Sequence, residues 1–141
     1  MRRNASAVWK GSFKDGKGMI STDSGVLTNT PYSFKARFEN DSGTNPEELI
    51  AAAHAGCFTM ALSGQLAEGG LTAESIETKA TVILEKTDTG FAITAIHLDV
   101  SAKVPGATKQ SFEIAAKNAK YGCPVSKVLN ARITMEANLE E

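Results

Sequence analysis

From Leu49 to Ala67 the chain runs for 19 residues without one Asp, Glu, Lys or Arg. Asn45 stands before this run as a candidate N-cap, Pro46 suits the first helical position, and Glu48 follows the cap by three residues as in a capping box. Gly69-Gly70 ends the pattern. The spacing predicts one helix over 46–68, roughly 35 Å long at 1.5 Å per residue. That length also suits a membrane span. His54, Thr59, Ser63 and Gln65 lie inside it, however, alanines recur along it and no basic cluster flanks it, so no membrane partner is expected. The remaining reading is a helix buried nearly all round in a soluble protein. One chain of 141 residues has trouble covering every face of such a helix. Ala53, Cys57, Ala61 and Gly64 share a stripe where another backbone can come close, so a second copy of the chain, in a two-fold homodimer, is the expected cover.

The length fits a single domain, 1–141. With 15 Lys+Arg against 16 Asp+Glu, nothing favours nucleic acid as a partner. Two cysteines cannot make a disulfide-dense secreted scaffold, and residues 1–10 hold Arg2 and Arg3 but no apolar stretch of a signal peptide. A cytoplasmic, reducing location is expected. Strands are predicted over 7–13 and 19–22 around the turn Asp15-Gly16-Lys17-Gly18, and over 31–39, where Tyr32, Phe34, Ala36 and Phe38 alternate with Ser33, Lys35, Arg37 and Glu39. Further strands are predicted over 74–86 and 91–104 around Asp88-Thr89-Gly90, and over 131–139. A helix over 108–121 is expected to turn Phe112, Ala115, Ala116 and Ala119 inward. The order is not strict βαβ alternation, so the expected class is α+β, with antiparallel sheets around a long buried central helix.

Few residues carry chemistry. Cys57 lies mid-helix, where a free cysteine is ordinarily a small packing residue. Cys123 precedes Pro124 at the start of a short helical turn. It reads either as a plain helix-start residue or as a thiol whose charged form is favoured by free backbone N–H groups. Arg37 falls on the polar side of its predicted strand, the usual place for a solvated arginine. Glu48 has a capping task, which leaves Glu47 free to hold an arginine in a bidentate pair. His54, Cys57, His97 and Cys123 offer the residue types of a Cys2His2 metal site but not its spacing, so no metal and no cofactor is expected.

Taken together, Arg37-Phe38-Glu39, Asn45-Pro46-Glu47-Glu48-Leu49, Ala53-His54-Ala55-Gly56-Cys57-Phe58, Gly90-Phe91-Ala92-Ile93-Thr94 and Gly122-Cys123-Pro124-Val125-Ser126 resemble the OsmC/Ohr family of osmotically inducible and organic hydroperoxide resistance proteins, nearest the OsmC branch. The resemblance runs from about Trp9 to the last strand. It implies an intertwined homodimer and a cysteine-based peroxidase acting on organic hydroperoxides. It further implies that Cys57 is the peroxidatic cysteine, Cys123 the resolving one, Arg37 the activating arginine and Glu47 its positioning acid. The disulfide Cys57–Cys123 would be reset by an external dithiol, of lipoyl type in part of the family. The competing reading is a non-catalytic, stress-related binding dimer whose cysteines only pack.

Overall fold

A helix forms where the Asn-Pro start marks it: α2 spans Pro46–Glu68 in a computed structural model that describes residues 1–141. The Asn45 side-chain oxygen accepts the Glu48 backbone N–H at 2.8 Å, so the cap is real. The Glu48 carboxylate does not close a capping box; it accepts the Thr44 hydroxyl at 2.7 Å.

The chain divides into two compact units, Met1–Leu49 and Ile50–Glu141. In the first, β1 (Ala5–Lys10), β2 (Lys17–Thr22) and β3 (Thr30–Tyr32) form an antiparallel sheet in that order. Gly18 lies against the rings of Trp9 and Tyr32, which meet in a tilted arrangement with centres 5.5 Å apart, and a side chain there would run into both. The strand predicted over 31–39 stops at Tyr32. Residues Phe34–Phe38 are a short helix, α1. The Ser33 hydroxyl accepts the Ala36 N–H at 3.0 Å and caps it. Phe34 and Phe38 are two alternate positions apart in a strand but also i and i+4 in a helix. The helical arrangement wins because their rings meet at 4.8 Å while Phe13 closes on Phe34 at 5.1 Å.

In the second unit, β4 (Ser75–Thr87), β5 (Gly90–Lys103) and β6 (Arg132–Glu140) make a sheet with β5 central. β4 and β5 pair antiparallel through the expected hairpin, with an irregularity at Ile83/Leu84. β6 pairs with β5 in parallel, against the expectation of antiparallel sheets throughout. The physical reason is the connection. Residues 104–131 hold α3 (Lys109–Gly122) and α4 (Pro124–Val128), enough chain to carry it back to the end where β5 began. Thr108 caps α3 in a reciprocal pair with Ser111.

The core of this unit joins Phe58, Leu62 and Leu66 of α2 to Ile96, Leu98, Val100 and Ala102 of β5 and Phe112, Ala115, Ala116 and Ala119 of α3. Each fully buried Phe or Leu contributes about 1.5–3 kcal/mol. One face of the apolar helix α2 therefore forms a wall of this core. Within one chain its burial is confined to one face, centred on His54, Phe58, Leu62 and Leu66. Ala52, Ala53, Gly56, Met60, Ser63, Gly64 and Ala67 stay exposed, and Met60 keeps 78% of its surface open. The helix is thus not buried all round by its own chain.

Candidate active site

In the unit Met1–Leu49, α1 replaces the predicted strand and changes what Arg37 can reach. Its Nε–H donates to Glu47 Oε1 at 3.0 Å and its Nη2–H donates to the same oxygen at 2.8 Å. Nε also lies 3.3 Å from Oε2. Glu47 is nearly buried, so this pair is shielded more than a surface ion pair. The guanidinium also lies over the Phe38 ring, 5.4 Å from its centre. Two carboxylate oxygens and one ring fix the plane of the group. The Nη1 donors remain for a further acceptor. Arg37 forms one wall of a cleft of about 230 Å³ whose other walls are the rings of Trp9, Phe13, Tyr32, Phe34 and Phe38 with Ser33 and Pro46. A mostly aromatic cleft with one fixed cation suits a ligand that has an apolar body and a polar or charge-developing end.

In the unit Ile50–Glu141, the two cysteines come together although 66 positions separate them. The Cys123 thiol donates to Cys57 Sγ at 2.7 Å, and both cysteines are free thiols. Cys57 comes from the middle of α2 and is half-buried. Cys123 is fully buried, closing α3 and opening α4 at once. Burial pushes the Cys57 thiol above its ordinary range, and the adjoining Cys123 pushes the same way, because two negative sulfurs so close together are disfavoured. The backbone N–H of Val125 in α4 acts in the opposite direction, because it favours the thiolate. The helix-start amide anticipated as support for Cys123 thus serves Cys57. Cys123 caps α4 with its backbone only; its side chain makes no cap bond.

His54, one turn before Cys57, is wholly buried, and its Nε2 lies 2.7 Å from Ser126 Oγ. Its Nδ1 is buried without a partner. Burial holds its pKa below the usual histidine value, so the ring is neutral near pH 7. His97 lies elsewhere. It bonds Thr134 at 2.6 Å and Asp99 at 3.3 Å, and neither cysteine takes part. Of the four residues of the Cys2His2 combination, only the two cysteines bond one another. His97, Asp99 and Glu136 do lie near one another, on the more open face of the sheet.

The sequence singled out Arg37, Glu47, Cys57 and Cys123. The structure joins them as two pairs, Arg37–Glu47 and Cys57–Cys123. Sequence reasoning missed Ser126. The only signal available was its position three residues after Cys123, matching the three residues from His54 to Cys57.

The family model for OsmC-like proteins matches residues 39–138. Peroxiredoxin OsmC of Escherichia coli (strain K12) is 52% identical over 140 residues, covering 99% of this chain and 98% of that protein. Organic hydroperoxide resistance protein OhrB of Bacillus subtilis (strain 168) is 31% identical over 124 residues, covering 87% of this chain and 89% of that one. The crystal structure of OhrB from Bacillus subtilis superposes with a TM-score of 0.70 at 26% identity, over 95% of this chain and 97% of that one. An OsmC-like protein of unknown function from Vibrio cholerae has the same fold, with a TM-score of 0.78 at 20% identity over 97% and 99% of the two chains. With a paired-thiol centre, an Arg–Glu pair and likeness to these proteins along nearly its whole length, this chain belongs to the OsmC/Ohr family.

Proposed function

We propose that this protein is a cysteine-dependent peroxidase that reduces organic hydroperoxides to alcohols. One observation carries the reading: two free thiols from distant parts of the chain meet at 2.7 Å, one on a helix face and one at a helix junction. The names of its relatives, a peroxiredoxin and organic hydroperoxide resistance proteins, support it.

In this mechanism the Cys57 thiolate attacks the distal oxygen of the hydroperoxide. The S–O bond forms, the O–O bond breaks, and the alkoxide takes a proton and leaves as the alcohol. Cys57 is left as a sulfenic acid. Cys123 then attacks the Cys57 sulfur, the S–S bond forms, and hydroxide leaves as water once protonated. An external dithiol, of lipoyl type by resemblance, reduces the disulfide. Arg37 has two tasks: it offsets the upward push of burial on the Cys57 thiol and stabilises charge on the leaving oxygen. Glu47 holds the guanidinium in place. The aromatic cleft beside Arg37 receives the organic group, so alkyl and aryl hydroperoxides should be better substrates than hydrogen peroxide. We place the protein in the cytoplasm, where reduced thiols persist.

We further propose that the 141-residue chain acts as one protomer of a homodimer. The open face of α2, with Met60 exposed beside Gly56 and Gly64, supports this, because small residues let a second helix approach. Sedimentation equilibrium should give twice the chain mass of 14.9 kDa, and a monomer at micromolar concentration would contradict it.

The proposed chemistry has a direct test in Cys123→Ser. This variant should reduce one equivalent of cumene hydroperoxide and then stop, with Cys57 trapped as sulfenic acid or driven on to sulfinic acid by excess oxidant. Mass spectrometry of the Cys57 peptide checks this. Continued turnover with a dithiol at the native rate would exclude Cys123 as the resolving thiol.

A further inference from the structure

The short helix that carries Cys123 has little to hold it down. α4 has five residues and buries none of its side chains. A helix this short cannot stand by itself. Its hold is chain continuity through Cys123, the partly buried Val125 and Leu129, the Val125 N–H on Cys57, and one bond between side chains from the helix itself, Ser126 to His54. That bond runs parallel to the sulfur contact. His54 and Cys57 are three apart on α2, and Cys123 and Ser126 are three apart around α4. Two rungs therefore set the register of one helix against the other. The His54 proton belongs on Nε2, donated to Ser126 Oγ, because an Nδ1–H would be a buried donor with nothing to bond.

We propose that His54 and Ser126 are positioning residues for the resolving step: their bond latches α4 so that Cys123 stays in contact with Cys57 while Cys57 is a sulfenic acid. The inference rests on the peroxidase reading above. The chemistry it governs is a competition. The Cys57 sulfenic acid either loses its oxygen as water to the Cys123 thiol, forming the disulfide, or meets a second hydroperoxide and becomes sulfinic acid with release of a second alcohol. Nothing about the latch touches the reacting atoms. It sets only how often Cys123 is in place. α4 makes opposing contributions to the Cys57 pKa, the Val125 N–H lowering it and the Cys123 contact raising it. Loosening α4 should therefore change the first oxidation less than the resolution.

The test uses Ser126→Ala, a small change at a partly exposed position, with Ser126→Thr as the conservative variant that keeps a hydroxyl. Fully reduced full-length protein is mixed with a series of cumene hydroperoxide concentrations. Intact mass then gives the ratio of disulfide, a loss of two hydrogens, to sulfinic acid, a gain of two oxygens. In Ser126→Ala the concentration at which the two products are equal should fall about fivefold, the population factor of one ordinary hydrogen bond. Ser126→Thr should move back toward the native value. A native ratio in Ser126→Ala would overturn the inference. So would an equal slowing of thiol loss and of disulfide formation, which marks a general structural defect. If the unaltered protein itself formed no disulfide, the peroxidase reading beneath the inference would fall instead.

Discussion

Cys57→Ser should abolish hydroperoxide reduction, lowering steady-state turnover at least about a thousandfold, the scale of loss when a sole nucleophile is removed. The expectation follows from the atoms involved. A serine hydroxyl cannot accept the peroxide oxygen to form a stable counterpart of a sulfenic acid. The neighbouring thiol cannot take over, because Cys123 is fully buried and its sulfur faces position 57. The far-ultraviolet spectrum should stay native, since sulfur and oxygen differ little in size and Cys57 is outside the fully buried core. Turnover is read by loss of cumene hydroperoxide with a dithiol in excess. Turnover within tenfold of native would show that the chemistry lies elsewhere in the chain.

Arg37→Ala should reduce oxidation of Cys57 by about two to three orders of magnitude at pH 7, combining thiolate loss with the loss of a fixed donor at the leaving oxygen. Thiolate formation alone is insufficient. A free thiol with a pKa near 8.5 is about 3% ionised at pH 7, so complete ionisation gains at most roughly 30-fold. Part of that is returned because a more acidic thiol is a weaker nucleophile. The rest must come from charge stabilisation on the departing alkoxide. The pH profile separates the contributions. Burial and Cys123 raise the Cys57 pKa, and on the proposed role of Arg37 its loss removes the charge that offsets them, so the variant should stay mostly thiol at neutral pH. Its rate should climb about tenfold per pH unit from 7 to 9, while the native rate levels off at lower pH. Arg37→Lys should recover little, because the Nε and Nη2 contacts to Glu47 require the planar fork. Glu47→Gln should be milder, leaving the arginine in place with a weaker hold. An Arg37→Ala variant with the native rate and pH profile would reduce this arginine to a surface charge.

Much of the fold was legible because it is locally encoded. Asn45-Pro46 and Gly69-Gly70 bracket α2, Thr108 starts α3, and the alternation of Ile133, Met135, Ala137 and Leu139 marks β6. The stretch 33–38 was misread because an aromatic pair four residues apart fits both periods, and the Ser33 cap that decides between them is a single weak signal. The parallel direction of β6 is invisible locally. It depends on where α3 and α4 deliver the chain. Glu47 could be singled out as a partner for an arginine because Glu48 had other work nearby. Glu48 does have such work, although on Thr44 rather than on the cap. The contact of Cys57 with Cys123 and that of His54 with Ser126 span 66 and 72 positions, and no pattern in the chain announces them. Only the resemblance to a family pointed to the first, and only the matching three-residue spacing from each cysteine pointed to the second.

The central claim is that Cys57 takes the oxygen of an organic hydroperoxide and Cys123 removes it. The most direct measurement is a single turnover: fully reduced protein is given one equivalent of cumene hydroperoxide, and the alcohol and the peptides are analysed together. The account predicts one equivalent of alcohol and a loss of two hydrogens confined to a cross-linked peptide pair containing Cys57 and Cys123. Alcohol formed with both thiols intact, or oxidation scattered over the four methionines with the thiols unchanged, would contradict it.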